Sequence, residues 1–62
     1  MTTKPEFISI EKSIYGHWRV RFLINNEFYR TYIIDGYPKQ EAIKLARREA
    51  VKESALYFYN EA

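Results

Sequence analysis

The sequence predicts an α+β domain in which a three-stranded antiparallel sheet packs on one C-terminal helix, in the order β-β-β-α. Three observations carry this. Apolar and polar residues alternate with period two in "HWRVRFLI", His17 to Ile24. Turn-forming residues at Gly16, Asn25-Asn26 and Asp35-Gly36 cut the N-terminal half into strand-length pieces. From Lys39 the composition switches to strong helix formers, with no Gly or Pro before the end.

The reading gives one domain over residues 1–62, with a flexible lead at 1–6, the sheet at 7–34 and the helix at 38–59. Strand one is "FISIEKSIY", Phe7 to Tyr15, rich in β-branched and aromatic residues, with Ile8 and Ile10 on the face opposite Ser9, Glu11 and Ser13. In strand two, Trp18, Val20, Phe22 and Ile24 form a core face, and His17, Arg19, Arg21 and Leu23 stand on the other. Asparagine tolerates positive φ, so Asn25-Asn26 predicts a tight hairpin into strand three, "EFYRTYII". Both sides of strand three carry large apolar residues, and the pattern leaves its facing open. Pro38 suits the first turn of a helix. On that helix Ala42, Leu45, Ala46 and Ala50 line one side, with Ser54 and Tyr57 in the same row, and the small alanines predict close approach to the sheet. Lys44, Arg47, Arg48 and Lys52 fall mainly on other sides, among Glu41, Glu49 and Glu53, as on a solvated helix, and carry no site.

Composition narrows the function. A chain of 62 residues buries only about 60% of the surface its unfolded form exposes, which leaves little room for a walled pocket. There is no cysteine and a single histidine, His17, so disulfides, thiolate metal sites and the usual zinc or histidine-base constellations are not expected. No paired carboxylates, nucleophile–base set or glycine-rich phosphate loop is evident. The expectation is a protein that is not an enzyme and takes no cofactor. The N-terminus lacks the charge-then-apolar order of a signal peptide, and no apolar run approaches about 20 residues, so a cytoplasmic protein without a membrane partner is expected. The net charge is only +2, but Lys12 to Arg30 holds four basic residues against one acidic.

The run "GHWRVRF…FYRTYII…GYPKQEAIKLA" resembles two families of DNA-binding domain: that of plant ethylene-response factors and the N-terminal arm-binding domain of tyrosine-type phage integrases. The shared elements are Gly16-His17-Trp18 at the start of strand two, the glycine-aromatic pair Gly36-Tyr37, and a helix opening on Lys39-Gln40-Glu41-Ala42. Pro38 stands where the integrase domains usually have threonine. The resemblance covers Ile8 to Val51. It implies a sheet whose exposed face enters the major groove of duplex DNA, with His17, Arg19, Arg21, Arg30 and Tyr32 as the outward residues and Lys12 nearby. The plant domains also use arginines on strand one, where this chain has Glu11 and Ser13. For Tyr32 the residues alone leave two readings, a sheet-face contact or a packed side chain; Trp18 belongs to the core.

The function expected from this is a small DNA-binding module, an accessory or regulatory protein of a phage or mobile element. The alternative is a small protein-binding adaptor or inhibitor, acting through the same sheet face or through the aromatic run Leu56, Tyr57, Phe58 and Tyr59 near the C-terminus, which a helix cannot bury on one side. Self-association through that run belongs to the same alternative.

Overall fold

The computed structural model describes residues 4–61, with side chains through Leu56. The first half of the expected lead (residues 1–3) and the side chains of Tyr57, Phe58 and Tyr59 lie outside the described residues. The architecture is the α+β arrangement expected: β1 (Glu6–Lys12), β2 (Trp18–Ile24) and β3 (Phe28–Ile34) form an antiparallel sheet in that spatial order, followed by α1 (Lys39–Glu61).

β1 is shorter than expected. Ser13 ends it by turning inward on the backbone: its Oγ accepts from the amides of Tyr15 and His17 at 3.3 and 3.2 Å, and its carbonyl accepts from Gly16 at 3.0 Å. Gly16, at φ 85°, supplies the left-handed residue this turn needs. Ile14 and Tyr15 therefore sit on the turn rather than in the strand. Ser9 and Glu11 stand opposite Arg21 and Arg19, and Ile10 opposite Val20, as the alternation predicts. A bulge between Phe7 and Ser9 adds one residue to β1. It brings Phe7 opposite Phe22, with the rings edge to face and their centroids 5.8 Å apart.

Asn25 and Asn26 both have positive φ, 53° and 56°, and Glu27 N–H closes the turn onto the Ile24 carbonyl at 3.0 Å. Yet the ladder resumes with Ile24 opposite Phe28, so Glu27 is one residue more than a two-residue hairpin requires. This sets the facing of β3. Phe28, Arg30, Tyr32 and Ile34 share the helix side with Ile24, Phe22, Val20 and Trp18, while Tyr29, Thr31 and Ile33 share the other with Leu23, Arg21 and Arg19.

The core lies between the sheet and α1. Val20, Phe22 and Ile24 are fully buried against Ala42, Ala46 and Ala50, with Ile10, Trp18, Phe28, Tyr32 and Ile34 around them. The alanines and the buried Ser54 recur every fourth residue, and a row of that spacing with little side chain lets the helix backbone approach β2 and β3 closely. Leu45, expected in this row, is only half-buried at its margin. Pro38 precedes the helix, its carbonyl accepting the first helical bond from Ala42 N–H at 2.9 Å. At the far end Ser54 Oγ donates to Asn25 Oδ1 at 2.6 Å, tying helix to hairpin.

Candidate functional site

The helix covers one side of the sheet and leaves the other open. On the open face β2 runs down the middle with Arg19, Arg21 and Leu23; β1 contributes Glu6, Ser9 and Glu11, and β3 contributes Tyr29, Thr31 and Ile33. Arginines of β2 and their cross-strand neighbours thus form three rows: acidic and hydroxyl, basic, then aromatic and aliphatic.

The two arginines are not equivalent. Arg19 Nη2 lies 2.8 Å from Glu11 Oε1 on β1, so its charge is compensated within the face. Arg21 has no carboxylate in ion-pair range among the described residues. Its guanidinium lies 6.0 Å from the centroid of the Tyr29 ring, with Ser9 and Thr31 on either side. Ser9, Glu11, Arg19, Arg21 and Thr31 line a shallow polar depression of about 230 Å³. His17 is half-buried at the end of the face, its Nε2 3.6 Å from Asp35 Oδ2 and its ring against Tyr15. These groups can hold an anion or a planar polar edge, because a guanidinium presents a fixed fork of donors.

Arg30 and Tyr32, expected on this face, and Lys12, expected near it, are elsewhere. Arg30, Tyr32 and Lys12 lie on the helix side. Arg30 Nε and Nη2 donate to Glu53 Oε2 at 2.6 and 2.5 Å, and the Tyr32 hydroxyl donates to Glu53 Oε1 at 3.4 Å, so one carboxylate of α1 holds both. Burial first, then the charge and hydrogen bond of Glu53, push the Tyr32 phenol up to about 12, against a lowering by Arg30. Of the two readings of Tyr32, the packed one is correct. Lys12 stands opposite Trp18, with Nζ 5.4 Å from its ring centroid. The physical reason for Arg30 and Tyr32 is the extra residue Glu27. Had Ile24 paired with Glu27, every side chain of β3 would have turned over and these two would join Arg19 and Arg21.

The same inversion puts Tyr29, Thr31 and Ile33 on the open face, where no sequence pattern had placed them. Tyr29 is 62% and Ile33 57% exposed. Ile14 and Tyr15 also escaped sequence reasoning; they project from the β1–β2 turn at 92% and 79% exposure, and only the serine and glycine flanking them signalled a turn.

The motif elements behind the family resemblance meet in space. Trp18 Nε1 donates to the Tyr37 carbonyl at 2.9 Å, and Gly36, at φ 84°, bends the chain so that this carbonyl is presented. Trp18 is accordingly bound up in the fold. On α1, Lys44 lies 4.0 Å from Glu41 and Lys52 3.5 Å from Glu49, and Arg47 covers the Phe22 ring at 5.6 Å. Leu56, from the aromatic run, is exposed.

Among the described residues no group of His, Asp and Glu is arranged to hold a metal ion, and no helix is long and apolar enough to cross a membrane. No family model, curated protein or solved structure matches the chain.

Proposed function

We propose that this protein is a small non-catalytic module that binds duplex DNA through the open face of its sheet, in the manner of the integrase arm-binding and ethylene-response domains it resembles, and serves a phage or mobile element as an accessory or regulatory protein. The observation that carries the reading is the placement of Arg21: the centre of the uncovered face, on the central strand, with no carboxylate partner among the described residues and hydroxyls on both sides. Arg21 is the principal contact, Arg19 a second one once it leaves Glu11, and His17 a marginal one. Arg30, Tyr32 and Lys12 drop out of the contact set because they face the helix. With so few cations on this face, binding is mostly electrostatic and modest, and its salt dependence is shallow, about one unit of slope for each phosphate neutralised.

The test is binding of a labelled random duplex across a salt series, for the native chain and for Arg21→Ala. Salt-sensitive binding that Arg21→Ala loses supports the reading. No binding at low salt overturns it.

One observation favours a second reading. Tyr29 and Ile33 expose apolar surface on the same face, beside an arginine and Leu23, which is the composition of a protein-interface centre rather than of a phosphate-binding groove. In that reading the chain is a small adaptor or inhibitor of a protein target. Tyr29→Ala then abolishes partner capture, whereas for duplex binding it has a smaller effect than Arg21→Ala.

A further inference from the structure

The two edges of the sheet are built differently. β1 carries the devices that keep an edge from pairing with another chain: a bulge at Ile8, a buried Pro5 just before it, and three charges among seven residues, Glu6, Glu11 and Lys12. β3 carries none of them. Its seven residues, "FYRTYII", are straight, lack Gly and Pro, and hold one charge, Arg30, which Glu53 engages from the helix. A strand of β-branched and aromatic residues whose outer edge is joined by no other strand among the described residues is a template for another strand.

We propose that two copies of this chain pair antiparallel through β3, forming a continuous six-stranded sheet about a two-fold axis at Thr31. The pattern of β3 is self-complementary about that residue. Centring on Thr31 places Tyr29 opposite the partner's Ile33 on the open face, twice, so the two exposed apolar residues cover each other as aromatic–β-branched cross-strand pairs. On the helix side it sets Arg30 opposite the partner's Tyr32 and Phe28 opposite the partner's Ile34. No like charges meet within the strand pair. Centring one residue earlier would instead oppose Arg30 to itself.

The helices fit the same arrangement. α1 lies over β2 and β3, so the two-fold sets the helix axes about two strand spacings apart, roughly 9–10 Å, which is the separation at which helices pack. A groove of about 490 Å³ opens along this edge between β3 and α1, lined by Ile34, Tyr37, Leu45, Arg48, Glu49 and Lys52. The second helix would close it, with charges of both signs at the seam. The open face then carries two Arg19–Arg21 stripes about three strand spacings apart, roughly 14 Å, on one surface. The pairing stands on the edge alone and does not rest on what that face binds.

The experiment is sedimentation equilibrium of the native chain and of Ile33→Lys, followed by oxidative cross-linking of single-cysteine variants. The chain has no cysteine of its own, so each reporter is unambiguous. A dimer mass for the native chain, a monomer mass for Ile33→Lys with unchanged circular dichroism, and faster disulfide formation by Thr31→Cys than by Ser9→Cys on the other edge are expected. A monomeric native chain at submillimolar concentration overturns the proposal. So does a dimer that survives Ile33→Lys, or equal cross-linking at Ser9 and Thr31. If Ile33→Lys unfolds, the comparison of the two cysteine variants decides alone. Duplex binding by a monomer would sink the pairing and leave the DNA reading standing; a dimer that binds no duplex would do the reverse.

Discussion

Glu11 and Arg19 stand directly opposite each other on β1 and β2, their side chains 2.8 Å apart, so the open face neutralises one of its own two arginines. Both are well exposed, and such a pair contributes only about 0.2–1 kcal/mol to stability. Its larger effect is on charge available to a partner. Glu11→Gln removes the competing carboxylate and leaves Arg19 in place. On the DNA reading, duplex affinity rises and the slope of log affinity against log salt steepens by about one unit, as expected for one more phosphate neutralised. An unchanged slope would mean that Arg19 never reaches phosphate.

Arg21 and Arg30 make a matched test of which face works. They are one position out of register on neighbouring strands, but point to opposite sides of the sheet. Arg21→Ala weakens duplex binding and leaves stability within about 0.5 kcal/mol, as for a surface substitution away from special contacts. Arg30→Ala does the opposite. It strips Glu53 of its cation and costs on the order of 1 kcal/mol of folding stability, measured by urea denaturation, with little change in binding. Equal binding losses in the two variants would place the contact surface elsewhere.

Much of this geometry was legible in the sequence. The alternation of β2 names its buried and open faces because all four core-face residues are large and apolar while two of the four opposite are arginines. The helix shows itself by composition, and its alanine row by spacing. β3 was opaque for a definite reason: Phe28 and Ile34 lie on one side and Tyr29 and Ile33 on the other, so hydrophobicity does not choose between them. The choice is made by the loop, where Glu27 adds a residue that no turn motif announces. One residue decided whether the open face holds three guanidiniums or two. The bulge at Ile8 acts in the same way on Phe7, and neither device leaves a mark in a period-two pattern.

Asn25 serves two ends, and two substitutions separate them. It holds a left-handed backbone conformation in the hairpin and accepts the Ser54 hydroxyl of the buried end of α1. Asn25→Gly keeps the backbone and loses the clip, at a cost of about 1 kcal/mol. Asn25→Ala loses the clip and forces a β-carbon into left-handed space, adding roughly 1–2 kcal/mol. Thermal melts should rank native above Gly above Ala. If Gly and Ala are equal, the backbone conformation at Asn25 contributes nothing and the clip is the whole effect.

Tyr32 gives the fold a defined weakness in alkali. Its phenol titrates near 10.0 when unperturbed and is pushed up to about 12 in the fold, chiefly by burial and then by the adjacent Glu53 carboxylate. A folded value above the unfolded one means the unfolded chain gives up this proton first. The contribution is therefore complete below pH 10.0 and is lost as pH climbs from there through about 12. Tyr32→Phe keeps the ring against Phe22 but has no proton to lose. Across that window its stability to urea should fall less steeply than that of the native chain, and the two curves should converge at the alkaline end. Parallel curves would show that the phenol is already free to ionise in the fold, and that its contact with Glu53 at 3.4 Å is too weak to matter.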